Sequence, residues 1–344
     1  MPELRRDPAS REWIVIAAER AKRPSEFKTV KEHEDRPAYV ATCPFCKGNE
    51  AQTPPENFAI RENTPNRADW YVRVVPNKFP ALTPSGDMTR RVESGFFRKT
   101  DGVGHHEIII ETPRHDHELA TMDAAQLERV VFAYRQRFHQ LKQDPRVENI
   151  IIFRNHGKAA GTSIIHAHSQ LIATSVVPNL LRERIEAATN YYDDTGRCLL
   201  GDILEKELEV EKRIVDENHT FVAFHPFAPR QPFETWIVPK KMKPSFGNID
   251  DDECRHFAAI LRRALYRLYA GLGDPDFNYV IHTAPVRDES HSYYAWYLQI
   301  LPRISTPAGF EIGSGMSINA TFPEETAAFI RNIDVPQPAA AALL

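Results

Sequence analysis

The chain has 344 residues, of which 42% are hydrophobic and 26% charged, and its net charge is −4. That composition provides for one large domain or two ordinary ones around a real core, and the mildly acidic balance excludes the electrostatic footprint of a nucleic-acid binder. No apolar run approaches the roughly 20 residues of a membrane span, and Met1-Pro2-Glu3-Leu4-Arg5-Arg6 leads into polar sequence rather than a signal core, so the expectation is a soluble cytoplasmic protein.

The first predicted element is a strand at Trp13–Ile16. After it comes Glu19-Arg20-Ala21-Lys22-Arg23-Pro24, which reads either as a solvated basic turn or as cations able to neutralise a diphosphate. Cys43-Pro44-Phe45-Cys46-Lys47-Gly48 places two thiols across a tight turn, with Gly48 permitting it. With only four cysteines in the chain, a disulfide framework is not the reading; a zinc knuckle is, with a thioredoxin-like redox pair as the alternative. A tetrahedral ion needs two more ligands, and His115 and His166 are candidates among 14 histidines. The Pro-, Asn- and Glu-rich stretch 53–66 reads as loop, and 70–75 as a strand.

An internal duplication follows. A strand at 106–111, a helix over about 123–143, the breaker Asp144-Pro145 and a strand at 149–153 are repeated in order by 233–238, 250–269, Asp274-Pro275 and 278–281. Each helix opens on an Asp in cap position and carries apolar residues at helical spacing: Leu127, Val130, Val131, Tyr134, Phe138 and Leu141 in the first, Phe257, Ile260, Leu261, Leu265 and Leu268 in the second. Further strands are expected at 220–224 and 296–301. These elements predict an α+β chain with two antiparallel sheets, each covered by helices. Residues 1–190 would form the first half and 191–335 the second, with 336–344, mostly Pro and Ala, a flexible tail.

The stretch richest in chemistry is Asn155-His156-Gly157-Lys158-Ala159-Ala160-Gly161-Thr162-Ser163, followed by His166-Ala167-His168-Ser169-Gln170. In a strand, His166, His168 and Gln170 fall on one face. A neutral imidazole there can attack phosphorus and form a phosphoramidate, dividing a displacement into two steps. Gly157, Gly161 and Ser163 allow close backbone approach and offer a hydroxyl near the same oxygens, and Gln170 can donate to one of them. If His166 binds a metal, its strand is pinned and His168 with it, so the metal would be structural.

At these residues the chain resembles the histidine-triad superfamily, and within it the galactose-1-phosphate uridylyltransferase branch. The likeness spans nearly the whole chain. It includes Arg20-Ala21-Lys22-Arg23-Pro24, Cys43-Pro44-Phe45-Cys46, Val74-Val75-Pro76-Asn77-Lys78-Phe79-Pro80, the 155–170 block, and Gly309-Phe310-Glu311-Ile312-Gly313-Ser314-Gly315 with Asn319. The resemblance implies tandem histidine-triad-like halves and a ping-pong transfer. UDP-glucose would give its uridylyl group to His168, and galactose 1-phosphate would accept it. By motif position Cys43, Cys46, His115 and His166 fall on zinc ligands, Gln170 on the contact to the transferred phosphoryl group, Ser163 and Asn155 on phosphate contacts close to Gly161, and Arg20, Arg23 and Asn77 on nucleotide or diphosphate contacts. The family works as a homodimer, with the C-terminal motif of one subunit reaching toward the other's site.

Three departures from the family pattern matter. Ala167 stands between the histidines where many members have proline. His282 matches a ligand of a second metal that some members carry, but Tyr297 and Gln299 stand where a His-x-His would be, and Cys198 lacks a partner because Gly201 stands there; one zinc site is expected, with His282 a buried polar residue. Gly309 and Gly315 replace the charged residues that grip the hexose phosphate, and this version also resembles the plant-type ADP-glucose phosphorylase branch, which transfers AMP to inorganic phosphate. The base and the acceptor are therefore open between these two, and a nucleotide-binding sensor without chemistry is the reading from another class.

Overall fold

The structure is a computed structural model, and it describes residues 1–18, 24–28, 36–61 and 69–336. Arg20, Arg23 and nearly all of the expected tail lie outside the described residues. The strands are β1 (Glu3–Arg6), β2 (Trp13–Ile16), β3 (Phe58–Arg61), β4 (Trp70–Pro76), β5 (Arg91–Glu93), β6 (Phe97–Lys99), β7 (Gly104–Ile110), β8 (Asn149–His156), β9 (His168–Thr174), β10 (Ile214–Glu217), β11 (Phe221–Phe224), β12 (Thr235–Pro239), β13 (Phe277–His282), β14 (Tyr297–Pro302) and β15 (Ile318–Asn319). The helices are α1 (Ala124–Leu141), α2 (Asn179–Thr195), α3 (Leu199–Val210), α4 (Asp251–Leu272), α5 (Gly309–Ser314) and α6 (Pro323–Arg331).

Where two sheets are expected, the structure has one sheet of ten strands in the order β10-β11-β12-β14-β13-β8-β9-β7-β4-β3. The two halves meet at an antiparallel seam between β8 and β13, in register from Phe277 opposite His156 to Ile281 opposite Ile152. Left apart, each half would expose a row of unpaired N–H and C=O groups at that edge, and pairing satisfies both rows at once. Two smaller sheets flank it: β5 with β6, and β1-β2-β15, in which β15 runs parallel to β2 and ties the C-terminal region to the N-terminal one.

The duplicated helices lie together on one face of the large sheet. α1 buries Leu127, Val130, Val131, Tyr134, Phe138 and Leu141, and Asp123 caps it by accepting the Gln126 N–H. α4 buries Phe257, Ile260, Leu261, Leu265 and Leu268, and Asp250 forms a capping box with Glu253. Each cap contributes about 1 kcal/mol. The alternation of the strands sends Val72, Val74, Ile109, Ile152, Leu171, Ala173, Tyr279, Ile281, Leu298 and Ile300 into this shared core.

The opposite face is divided. Over the second half, α3 covers it, with Leu200 and Leu204 on Val222, Phe224, Trp236 and Val238. α2 and α3 are two helices that the strand-rich sequence pattern does not announce, although Leu181, Ile185 and Ala188 recur at helical spacing and Gly196, at φ 70°, closes α2. The stretch read as loop contains β3, a four-residue edge strand pairing Phe58 with Val74; β4 supplies the ladder that its polar composition hides.

Candidate active site

Over the first half, the sheet face away from α1 and α4 is covered only in part, by the segment bearing Cys43, Phe45 and Cys46, which packs on Val75, Ile108 and Ile110, and the chemistry-bearing residues gather there. Cys43 and Cys46 sit on a turn closed by the Cys46 N–H donating to the Cys43 carbonyl at 3.3 Å. The Asn49 amide staples this turn by donating to the carbonyls of Val40, Ala41 and Cys43. The Lys47 N–H, bonded to the Pro113 carbonyl, and the His115 N–H, bonded to the Ala38 carbonyl, hold the turn against the segment after β7. His166 arrives from the residues leading into β9.

These four side chains converge. One ligand atom from each of Cys43, Cys46, His115 and His166 lies within 4.8 Å of all the others. His166 Nδ1 stands 3.7 Å from Cys43 Sγ and 3.6 Å from Cys46 Sγ, and His115 Nδ1 stands 3.5 Å from Cys46 Sγ. With Zn–S near 2.3 Å and Zn–N near 2.05 Å, a tetrahedral ion would set sulfur and nitrogen roughly 3.6 Å apart. The donor set therefore fits a structural zinc in spacing and softness. His166 Nε2–H donates to the Thr112 carbonyl at 2.8 Å, which turns the Nδ1 lone pair toward the sulfurs. The Val40 N–H donates to Cys46 Sγ at 3.4 Å. Burial pushes the Cys43 thiol up to about 11, so a thiolate at this position calls for a cation beside it.

His168 begins β9, two residues on. It is buried, and its Nδ1–H donates to the His166 carbonyl at 2.8 Å. That bond fixes the tautomer and leaves the Nε2 lone pair free. Burial pushes the ring down to about 4, so it is neutral at physiological pH. The Phe45 ring packs edge-on against it at 5.2 Å, which joins the knuckle to the histidine directly.

Gln170 follows on the same face. Its Oε1 accepts from His106 Nε2–H on β7 at 2.8 Å, and His106 Nδ1 accepts the Ala81 N–H at 3.1 Å. The backbone donor thus fixes the His106 tautomer, and His106 in turn orients the Gln170 amide so that its NH₂ points away as a free donor. Asn77 sits at the same junction: its N–H donates to the His106 carbonyl at 2.9 Å, its Oδ1 accepts the Phe79 N–H, and its Nδ2 lies 3.1 Å from His106 Nε2.

The loop after β8 is built on Asp276. A Cβ at Gly157 would stand 2.0 Å from Asp276 Oδ1, and Gly157 has φ 83°, so only glycine fits. Asp276 also accepts the Ala159 N–H at 2.6 Å. Asn155 accepts from Asn278 across the seam at 2.8 Å, and its Nδ2 is the nearest atom to a Cβ built on Gly161. Ser163 lies exposed on this loop. The structure thus sets His168 and Gln170 on one face of β9, with His166 in the segment just before the strand rather than on it, joins Asn77 to Gln170 through His106, and sets Asn155 beside Gly161.

Behind β9, on the core side, is a buried network absent from the sequence expectations. Glu111 accepts from Tyr134 at 2.9 Å, from Ser169 and from Arg154. Arg154 also donates to Glu118 at 2.8 Å and to the His168 carbonyl at 3.5 Å, and Tyr134 meets Tyr279 of the second half at 2.6 Å. Its sequence signal is polar residues at core-facing strand positions, Arg154 and Ser169 inside apolar alternation. The second half has no such partly covered face. His282 is hydrogen-bonded to Gln299 and Arg184, and among the described residues the Cys43 group is the one cluster suited to a metal.

Comparison with known proteins covers nearly the whole chain. Residues 1–178 match the model for the N-terminal domain of galactose-1-phosphate uridyl transferase, and residues 184–317 the model for its C-terminal domain. The chain is 36% identical over 337 residues to an ADP-glucose phosphorylase of Arabidopsis thaliana, covering 97% of this chain and 93% of that protein. It is 28% identical over 344 residues to a galactose-1-phosphate uridylyltransferase of Thermotoga maritima, covering 97% and 99%. Among solved structures, the Arabidopsis thaliana ADP-glucose phosphorylase with bound ADP-glucose superposes with a TM-score of 0.82 at 33% identity, over 98% of this chain and 100% of that one. A uridylyltransferase superposes at 0.73 with 28% identity, over 96% and 97%.

Proposed function

The chain belongs to the galactose-1-phosphate uridylyltransferase family and is a nucleotidyltransferase; we propose that His168 carries the nucleotidyl group between donor and acceptor. The observation that carries this reading is the bond from His168 Nδ1–H to the His166 carbonyl, which leaves Nε2 as the nucleophile. Nε2 attacks the α-phosphorus of a nucleoside diphosphate sugar. The P–N bond forms, the P–O bond to the sugar phosphate breaks with its electrons, and the ring's charge is held by the Nδ1–H bond. An acceptor phosphate oxygen then attacks the same phosphorus and the P–N bond breaks, restoring the neutral ring.

Gln170 donates its free NH₂ to a non-bridging oxygen as charge grows there. Asn155, Gly161 and Ser163 would contact the phosphates, Asn77 the nucleotide, and Arg20 and Arg23 the diphosphate on the strength of the resemblance. A zinc ion on Cys43, Cys46, His115 and His166 would be structural, fixing the strand that bears His168. Homodimerisation belongs to the same proposal, and the exposed Phe310 and Ile312 of α5 are apolar residues suited to an interface.

Uridylyl transfer from UDP-glucose to galactose 1-phosphate and adenylyl transfer from ADP-glucose to phosphate share the chemistry of the first half-reaction and differ in base and acceptor. The 36% identity to an ADP-glucose phosphorylase, against 28% to a uridylyltransferase, favours the adenylyl reading. Incubation of the full chain with each nucleotide sugar, digestion and weighing of the His168 peptide tests both. An adenylyl adduct is expected; a uridylyl adduct alone transfers the assignment to UDP-glucose, and the absence of both adducts overturns nucleotidyl transfer.

A further inference from the structure

The second half reaches the loop after β8 through two side chains. Asp276 holds the loop's backbone, at the Ala159 N–H. Asn278 of β13 also holds a side chain. Its Nδ2 donates one hydrogen to Asn155 Oδ1 at 2.8 Å and the other to the Ala160 carbonyl at 2.9 Å. Its own Oδ1 accepts from Arg303 Nε–H at 2.5 Å, and the Arg303 N–H donates to the Asp276 carbonyl at 2.6 Å. The Asn278 amide is therefore fully spent, in the one orientation that gives each bond a donor and an acceptor.

The consequence falls on Asn155. With its amide oxygen engaged by Asn278, its NH₂ is turned the other way. That Nδ2 has no acceptor among the described residues and is not sealed from solvent. It lies 3.9 Å from where a Cβ on Gly161 would stand, so it borders the hollow that this glycine leaves. The register of β8 with β9 pairs Phe153 with Gln170; two residues further it sets Asn155 opposite His168, on the same face. Gln170 repeats the arrangement, its Oε1 engaged by His106. Two amides thus stand beside His168, each with its oxygen tied back and its NH₂ presented. The backbone ladder from Phe277 to Ile281 already closes the seam, so the strands do not need the Asn155–Asn278 pair in order to meet.

We infer that Asn278, held by Arg303, is a positioning residue of the transfer site that aims the Asn155 NH₂ at a non-bridging oxygen of the phosphate passing through His168. This rests on the proposed nucleotidyl transfer. An untethered amide samples both flips, and one of them presents oxygen to an anion. Fixing the flip removes that state before substrate arrives, so the donor costs no reorganisation when charge develops.

A double-mutant cycle on the full chain tests this, read as single-turnover labelling of His168 by ADP-glucose and by UDP-glucose. A wild type labelled by neither overturns the transfer reading and this inference with it. Asn155→Ala should lower the maximal labelling rate about 10²-fold. Asn278→Ala should lower it about tenfold with little change in the half-saturating concentration. The double variant should be no slower than Asn155→Ala, because effects routed through one group do not add. Losses that multiply, or a loss from Asn278→Ala confined to the half-saturating concentration, overturn the aiming role while the adduct keeps the transfer reading intact. Arg303 is exposed, so Arg303→Met spares the fold and carries the test should the urea midpoint show that Asn278→Ala does not fold. It should cost roughly threefold in maximal rate, and only where Asn155 is present. An equal loss in the Asn155→Ala background overturns the relay.

Discussion

The two halves of the large sheet can be compared residue by residue through the seam. Phe153 of β8 faces Val280 of β13. On their other sides Phe153 faces Gln170 and Val280 faces Gln299, so the two glutamines hold equivalent registers, and His168 and Tyr297 stand two residues before each. The same strand geometry therefore presents His-x-Gln in one half and Tyr-x-Gln in the other. The first is covered only in part, by the Cys/His knuckle, which leaves Gln170 partly exposed beside a buried neutral ring whose lone pair is unclaimed. The second is capped by α2 and α3, and Arg184 occupies the ground in front of His282. The difference teaches that the fold supplies the register and the cover decides whether a register becomes a site.

The largest expected effect breaks the comparison at its centre. His168→Asn removes the nucleophile while keeping a polar side chain at the strand start, and turnover should fall by roughly 10⁴-fold or more. The adduct should vanish and the urea midpoint should stay close to wild type, as read by chemical denaturation. A variant retaining turnover would move the chemistry away from this strand.

Next comes the cover of the first half. Cys43→Ser, or dialysis against a strong chelator, should release one equivalent of zinc by elemental analysis and lower stability by several kcal/mol, because a structural ion contributes its binding free energy to folding. Labelling of His168 should fall with it, since Phe45 and His166 tie the knuckle to the nucleophile. Metal-free protein with full stability and full labelling would contradict a structural ion.

A smaller effect is expected at the residue that aims Gln170. Gln170→Met removes the donor and should cost roughly 10²-fold in kcat. His106→Phe leaves the amide in place but frees its orientation, so about a tenfold loss in kcat with little change in KM is expected, a split that steady-state kinetics resolves. If His106→Phe instead raises KM at constant kcat, the histidine serves nucleotide binding rather than the aim of the amide.

Much of the architecture is legible in the order of the amino acids. The duplicated helices, the Asp caps, and the shared face of His168 and Gln170 on β9 all follow from spacing, and spacing is local. The seam is not legible, because nothing local tells β8 that its partner is β13: Asn155 and Asn278, which face each other across it, are 123 positions apart. The network of Glu111, Tyr134, Arg154, Ser169 and Tyr279 is hidden for the same reason, since Tyr134 reads as one more apolar position of its helix and Glu111, Arg154 and Ser169 as isolated polar residues until the halves join. Arg184 cannot be read as a plug because the helix that carries it is masked by its weakly apolar composition.

The smallest effect sharpens the comparison most. Gln299→Met repeats at the equivalent register the substitution that disables Gln170. Gln299 is buried, and its amide links Glu234 to His282 on both sides. Methionine fills the space but leaves the His282 imidazole N–H without an acceptor and takes from Glu234 Oε1 one of its two donors, the Trp236 indole N–H remaining, a cost of about 1–3 kcal/mol. The expected phenotype is thus the inverse of the first-half change: a lowered urea midpoint with turnover intact, against lowered turnover with the midpoint intact. Gln170 has one side-chain partner and is only partly buried, so its loss strands little. If both variants lose stability and neither loses turnover, the two registers are alike in role and the cover does not decide which becomes a site.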